Sequence, residues 1–225
     1  GIPGTVGAAL VQNIGAYGVA ASSLVERDNA WQVDRKRWLS LSKADCRFGY
    51  RDSIFKNEMR NNAIIVSVVF RLEKGTTARS LSYAALTDEL SRRNILHPDI
   101  SDVFEVVQDV RRTRLPDLKV MGNAGSFFKN PVIDSAQKLR LEQQYPDLNS
   151  NPQGNGFKIA AGWLIEKAGW KGFRSGDAGC YERQALILIN YGKATGKDIL
   201  ELSERIQASV MEKFGISLER EVNLI

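Results

Sequence analysis

Cysteine and histidine are scarce: of 225 residues, two are cysteine and one is histidine. Cys46 and Cys180 lie far apart, and neither has a near partner at metal-ligand spacing, so no metal site is expected. A hydrolase built on a histidine base would have to use His97, in Asn94-Ile95-Leu96-His97-Pro98, where a histidine ahead of proline reads as a turn residue. There is no run of apolar residues long enough to span a bilayer and no basic-then-apolar leader, so neither a membrane segment nor secretion is expected. The 6 prolines and 19 glycines follow no three-residue period, which removes collagen-like and linker classes. A chain of this length needs no disulfide to hold its core, and the two thiols read as buried cysteines in a reducing compartment.

What is present is globular composition, 43% hydrophobic and 25% charged, enough for one large domain or two small ones. The net charge of +5 favours anionic partners without naming them. Nucleic acid would call for a basic stripe with interleaved aromatics. The densest basic run, Arg111, Arg112, Arg114 and Lys119, is short and interrupted by Leu115-Pro116-Asp117, so a phosphate-bearing small ligand or a solvated face accounts for it.

Glycines crowd the start, at positions 1, 4 and 7 and again at 15 and 18. Such backbone can approach a flat or phosphorylated ligand, but the order is not that of a dinucleotide-binding turn after a strand. Residues 64–72 read as a strand mostly buried on both sides. Helices are expected over 82–90, 101–112, with Val103, Val106, Val107 and Val110 on one face, and 135–144. Pro116 marks a domain boundary. Residues 149–156 read as a loop, 158–167 as a helix closed by Gly169, and 185–191 as a buried strand. Thr195 and Asp198 resemble a capping box for a helix through Ile199, Leu202, Ile206, Val210 and Phe214, ended by Gly215. Residues 218–224 alternate as a strand, with Glu219 and Glu221 on one face. Helices and strands mix without strict alternation, which argues for two α+β domains.

Four places could do chemistry. In Cys46-Arg47-Phe48-Gly49-Tyr50-Arg51-Asp52-Ser53-Ile54-Phe55-Lys56, Arg51 could bind an anion while aromatics exclude water; a surface ion pair with Asp52 or Asp45 is the plainer alternative. In Gly122-Asn123-Ala124-Gly125-Ser126-Phe127-Phe128-Lys129-Asn130-Pro131, Ser126 sits on stiff backbone and could donate a proton, or simply cap its own turn. Lys129 and Asn130 could hold phosphate or sugar oxygens or face water. Glu219 and Glu221, if close, would raise each other's pKa and suit a general acid; a solvated edge is the alternative. The fourth is the basic group before Pro116.

Residues 1–18, 46–56, 114–131, 158–164 and 218–225, and above all Gly-Asn-Ala-Gly-Ser-Phe-Phe-Lys-Asn-Pro with Phe-Gly-Tyr-Arg-Asp-Ser-Ile-Phe-Lys, resemble the UDP-N-acetylenolpyruvoylglucosamine reductase family of peptidoglycan synthesis. The likeness covers essentially the whole chain. It points to the branch, common in Gram-negative bacteria, with a tyrosine on a substrate loop, here Tyr83.

The resemblance implies a vanillyl-alcohol-oxidase-like FAD-binding fold, its second part in 1–115, then an α+β substrate-binding domain over 116–216 and a return toward the active site in 217–225. An N-terminal region that such enzymes carry is expected to be lacking here. It further implies an NADPH-dependent, FAD-mediated reduction of UDP-N-acetylglucosamine enolpyruvate to UDP-N-acetylmuramate in the bacterial cytoplasm, by a monomer serving cell-wall assembly, cell shape and division. A UDP-sugar-binding fragment without turnover is the alternative. Carried over by motif, the catalytic residues are Arg51, Ser126 and Glu221. Substrate-binding residues are Tyr50, Tyr83, Arg114, Asn130 and Gln184, and the cofactor segment is Gly1, Ile2, Pro3, Gly4, Gly7, Gly15, Ala16 and Tyr17. Arg114 replaces a lysine, keeping charge but reaching as a fork. Arg220 replaces the proline of Glu-Pro-Glu and is expected to point outward, leaving Glu221 in place. A uracil-side tyrosine has no counterpart near Asn151.

Overall fold

The structure, a computed structural model, describes residues 2–75, 81 and 83–225. The chain divides into two compact units, Gly1–Thr113 and Arg114–Ile225. Gly1 and Ser82, which opened one of the expected helices, lie outside the described residues.

In the first unit Thr5 caps helix α1 (Val6–Val11) by accepting from the Ala8 amide at 3.2 Å. A hairpin follows, β1 (Gly15–Ala16) against β2 (Val19–Ala20). Its two turn residues, Tyr17 at φ 52° and Gly18 at φ 84°, both take the left-handed conformation that a two-residue hairpin turn requires. Strand β3 (Val25–Gln32) pairs antiparallel with β4 (Arg37–Ser42) on one side and β5 (Ala63–Phe70) on the other. One face of this sheet packs Ala30, Leu41 and Ile65 against Cys46 and Phe55. The other leaves Ile64 and Val66 each 57% exposed, so β5 is not buried on both sides as its apolar run suggests. The sheet has a single packed face within this unit, and alternation along the strand turns every second side chain away from it. Helices α2 (Ala84–Arg92) and α3 (Ile100–Arg114) bury Leu86, Leu90, Val106 and Val110 against each other. His97 lies exposed in the turn between them.

The second unit contains β6 (Gly122–Ser126), β7 (Val132–Ile133), α4 (Ser135–Gln144), β8 (Ser150–Gln153), β9 (Gly156–Ile159) and α5 (Ala161–Lys167). After these come β10 (Arg174–Ser175), β11 (Ala178–Cys180), β12 (Ile187–Asn190) and α6 (Gly196–Phe214). Two antiparallel sheets form, ordered β10-β11-β12-β6 and β7-β9-β8. The apolar stripe of α6, Leu202, Ile206, Val210 and Phe214, lies in one core with Phe128, Ile159, Leu164 and Leu218. The whole is mixed helix and sheet.

Three expectations need correction here. Residues 149–156 are not a loop: Ser150–Gln153 is a strand, and it turns at Gly154 (φ 57°) into β9. Consequently 158–160 are not helical. Ile159 is the fully buried end of β9, with its amide on the Pro131 carbonyl at 2.9 Å, and the helix starts only at Ala161. Finally, 218–224 makes one isolated bridge, Phe128 with Arg220, rather than a full strand.

Candidate functional site

Each unit gathers part of the chemistry anticipated from sequence. In the first, the turn after α1 and the 46–56 segment are bound to each other. Asn13, at φ 48°, donates from Nδ2 to the Gly49 carbonyl at 2.8 Å and accepts at Oδ1 from the Ser22 amide at 3.0 Å. Ser53, fully buried, donates to the Val11 carbonyl at 2.5 Å. Arg51, itself at φ 53°, places its guanidinium against the carbonyls of Gly15 at 2.5 Å and Asn13 at 3.4 Å, and over the Tyr50 ring at 5.3 Å. A Cβ on Gly15 would stand 2.7 Å from the Val19 carbonyl oxygen and 3.2 Å from the Arg51 guanidinium, so this approach requires glycine. The anticipated surface pairing of Arg51 does not describe its neighbours: Asp45 accepts from Ser42, and Asp52 accepts from the Ser53 amide and from Asn57.

Other cofactor-segment residues fall around this turn. Ile2, Pro3 and Gly4 precede α1, with Gly4 at φ 118° and open space where a side chain would stand; Gly7 packs in α1 against Ile65. Ala16 lies in β1, and Tyr17 meets Tyr83 edge-to-face at 5.2 Å between ring centroids. Tyr83 is the residue just before α2 and is 44% exposed. Beneath the segment, the Cys46 thiol donates to the fully buried Asp28 at 3.2 Å. Burial raises the Asp28 carboxyl above the ordinary range, and burial together with Asp28 raises the thiol, so Cys46 is no nucleophile. The Cys180 thiol, in the second unit, is pushed up to about 12 by burial.

In the second unit Ser126 ends β6 opposite Ile187 and is exposed. The turn ahead of it is set by Asn123, whose Oδ1 accepts from the Gly125 amide at 2.9 Å while Gly125 takes φ 75°. Turn capping is thus the task of Asn123. The C-terminal segment lies along the residues that follow Ser126: the Glu221 amide donates to the Phe127 carbonyl at 2.9 Å and the Lys129 amide to the Glu219 carbonyl at 2.8 Å. The backbone of Glu221 therefore stands one residue away from Ser126. Glu219 pairs through its side chain with Lys129 at 2.5 Å, which turns that lysine from a ligand candidate into a strut.

Asn130 and Gln184, distant in sequence, meet at the start of α5. Asn130 Oδ1 accepts from the Ala161 amide at 2.9 Å, and Gln184 Oε1 lies where a Cβ on Gly162 would approach to 2.6 Å. Arg114 is the exposed last residue of α3. Arg220 does not point outward. Its Nε donates to the buried Ser203 hydroxyl at 3.0 Å, and its side chain is only 23% exposed, because its partner across the bridge, Phe128, faces the core. Sequence reasoning overlooked Asn13, Gly162 and Ser203. The last had a signal, a serine beside Leu202 and Ile206 on an apolar helix stripe.

Among the described residues there is no cluster of three or more metal-ligating side chains, and no helix is long and apolar enough to cross a membrane.

The family model "UDP-N-acetylenolpyruvoylglucosamine reductase, C-terminal domain" matches residues 116–225. A protein named UDP-N-acetylenolpyruvoylglucosamine reductase from Flavobacterium johnsoniae is 44% identical over 225 residues, covering 100% of this chain and 67% of its own. The proteins of that name from Burkholderia cenocepacia and Pseudomonas aeruginosa are 51% and 47% identical, covering 98% and 99% of this chain and 64% and 66% of theirs. The chain thus spans about two thirds of the length of these relatives. Among solved structures, the UDP-N-acetylenolpyruvylglucosamine reductase of Thermus caldophilus matches with a TM-score of 0.62 at 26% identity, over 99% of this chain and 61% of that one.

Proposed function

Because the chain belongs to the UDP-N-acetylenolpyruvoylglucosamine reductase family, we propose that it carries the substrate-reducing machinery of an NADPH-dependent flavoenzyme that converts UDP-N-acetylglucosamine enolpyruvate to UDP-N-acetylmuramate. The observation that carries this reading is the pairing of Glu221 with Phe127, which puts a carboxyl-bearing residue beside the strand end that exposes Ser126.

Ser126 protonates the carbon next to the pyruvyl carboxylate. No hydrogen bond from its hydroxyl is found among the described residues, so the proton is aimed by the rigid turn rather than held by a neighbour. Arg51 meets the negative charge that grows on the carboxylate side, already oriented by the Gly15 carbonyl. Glu221, as a protonated carboxyl, stabilises the enolate-like intermediate, which favours the transition state over the ground state. Asn130, Gln184 and Tyr83 hold the nucleotide-sugar substrate, Arg114 supplies charge for its phosphates, and Tyr50 is the aromatic neighbour of Arg51.

The glycine-dense start of the chain fits FAD. Backbone at Gly4 stands bare, and Gly15, Ala16 and Tyr17 present a tight edge beside Arg51, so residues 1–115 are read as the second part of the FAD-binding domain, in the vanillyl-alcohol-oxidase-like fold. Residues 116–216 are then the substrate-binding domain, and 217–225 the return to the active site. FAD held there would supply the hydride chemistry that links NADPH to the enolpyruvyl group. The protein acts as a monomer in the bacterial cytoplasm, in wall synthesis and thus in cell shape and division.

A second reading, a UDP-sugar-binding fragment without turnover, is favoured by one observation: Asn130, Gln184 and Gly162 all lie in the second unit. An absorbance spectrum of the purified chain with FAD, followed by an NADPH oxidation assay with the enolpyruvyl nucleotide sugar, decides between them. Bound, reducible flavin with turnover supports the reductase. Nucleotide-sugar affinity with no flavin retained supports the fragment. Gly162→Ala is expected to weaken nucleotide-sugar affinity in titration calorimetry, since the new methyl would displace the Gln184 amide. Unchanged affinity would remove Gln184 from the site.

A further inference from the structure

Among the described residues, two backbone hydrogen bonds around one bridge tie the segment that presents Glu221 to the residues after β6. Two bonds are too few to fix a segment against fraying. Side chains supply the remainder. Gln207 Nε2 donates to the Leu218 carbonyl at 2.6 Å, Lys129 pairs with Glu219, and Arg220 donates from Nε to Ser203 Oγ at 3.0 Å while its Nη2 lies 3.5 Å from Glu204 Oε1. Ser203, Glu204 and Gln207 occupy neighbouring positions on one side of α6, so that helix acts as the ruler against which 218–220 is set.

Ser203 is the unusual member. It is fully buried in the middle of α6, where a serine contributes little to helix stability. Its hydroxyl donates to the Leu200 carbonyl at 2.7 Å, the familiar habit of a mid-helix serine, and its lone pair is then directed to Arg220. An arginine side chain that is three-quarters covered needs acceptors for its guanidinium, and this notch provides one buried hydroxyl and one carboxylate. Nothing in the apolar packing of α6 calls for either.

We propose that Arg220, seated on Ser203 and Glu204, is a positioning residue for Glu221. It locks the residue before the acid to α6, so that the carboxyl leaves the backbone at a fixed point beside Ser126. This rests on the reading of Glu221 as the carboxyl donor. A small displacement of an oriented donor lowers the rate of the chemical step while leaving ground-state binding nearly intact.

The test uses the full-length protein with Arg220→Met, which keeps the stem and removes the fork, Arg220→Lys, Ser203→Ala and Glu221→Gln. Arg220→Met is expected to lower kcat on the enolpyruvyl nucleotide on the order of tenfold, with KM little changed and a displaced limb in the pH profile of kcat. Ser203→Ala, which removes only the seat and suits a helix, is expected to shift kcat in the same direction by less, and Arg220→Lys to recover part of the loss. Amide hydrogen exchange at Glu221 should accelerate in Arg220→Met and Ser203→Ala. Combining Arg220→Met with Glu221→Gln should add little to the loss from Glu221→Gln alone. Wild-type kcat and pH profile in Arg220→Met, or additive losses in the double variant, would overturn the positioning role while leaving the carboxyl role standing. Full turnover in Glu221→Gln would overturn both.

Discussion

Asp28 is a fully buried carboxyl whose Oδ2 accepts from the Cys46 thiol and whose Oδ1 has no hydrogen-bond partner among the described residues. Desolvation raises its pKa above the ordinary 3.8, and the thiol bond offsets this only in part. A carboxyl that holds its proton longer in the fold contributes stability that is complete below the unfolded value and is lost as the pH rises through the folded one. Acids paired with arginines, such as Glu89, held down to about 2 by Arg92 and Arg93, work in the opposite sense, so the Asp28 contribution is read as a difference. Asp28→Asn is therefore expected to flatten the decline of stability with pH above about 4, relative to the parent, in urea titrations from mildly acidic to neutral pH. An identical slope in both proteins would show that Asp28 ionises in the fold as it does in water. At this scale legibility was uneven. Asn-Ala-Gly-Ser announces a turn because Asx and glycine chemistry is local, and the structure has that turn at Asn123 and Gly125. Gly162 announces nothing, since what demands glycine there is an amide from Gln184 across the fold.

Elements were legible where their determinants lie within a few residues of one another. Helix α6 carries its own start, stripe and stop. Thr195 Oγ1 accepts from the Asp198 amide at 3.2 Å, Asp198 Oδ2 accepts from the Thr195 amide at 2.7 Å, and Gly215 ends the helix at φ 66°. Thr195→Ala removes one half of this box and is expected to cost about 1 kcal/mol, read as a lowered urea midpoint with unchanged slope. No change would mean that Asp198 alone suffices as the cap. The β8–β9 hairpin was illegible for the opposite reason. Ser150-Asn151-Pro152-Gln153 has turn composition and is a strand because β9 pairs with it, and β9 is anchored in turn by Val132 opposite Lys158. The pair β3 and β4 escaped notice likewise: Val25-Glu26-Arg27-Asp28 has no simple alternation, and β3 is in register because β4 and β5 flank it.

At the scale of the molecule, composition and length sufficed for a mixed globular chain, whereas the distribution of apolar side chains between faces did not follow from sequence. An apolar run such as Ile64-Ile65-Val66 specifies a strand but not how many of its faces are packed, and Trp38, Ile64 and Val66 all stand more than half exposed. Each unit nevertheless has its own buried clusters, one around Ala30, Cys46 and Phe55 and one around Ile159, Leu164 and Ile206. Ile206 is fully buried between α6 and the rest of that second core, and truncation to alanine there is expected to cost about 3 kcal/mol through lost transfer energy and the cavity left behind. Hydrogen exchange resolves where that cost is felt. If each unit opens on its own core, Ile206→Ala accelerates exchange in β9, α5 and α6 while the amides of β3 and β5 keep parental rates. Equal acceleration in both would mean that Thr113 and Arg114 divide the chain in space but not in cooperativity, and that Glu221 is held in place by the stability of all 225 residues rather than of its own unit.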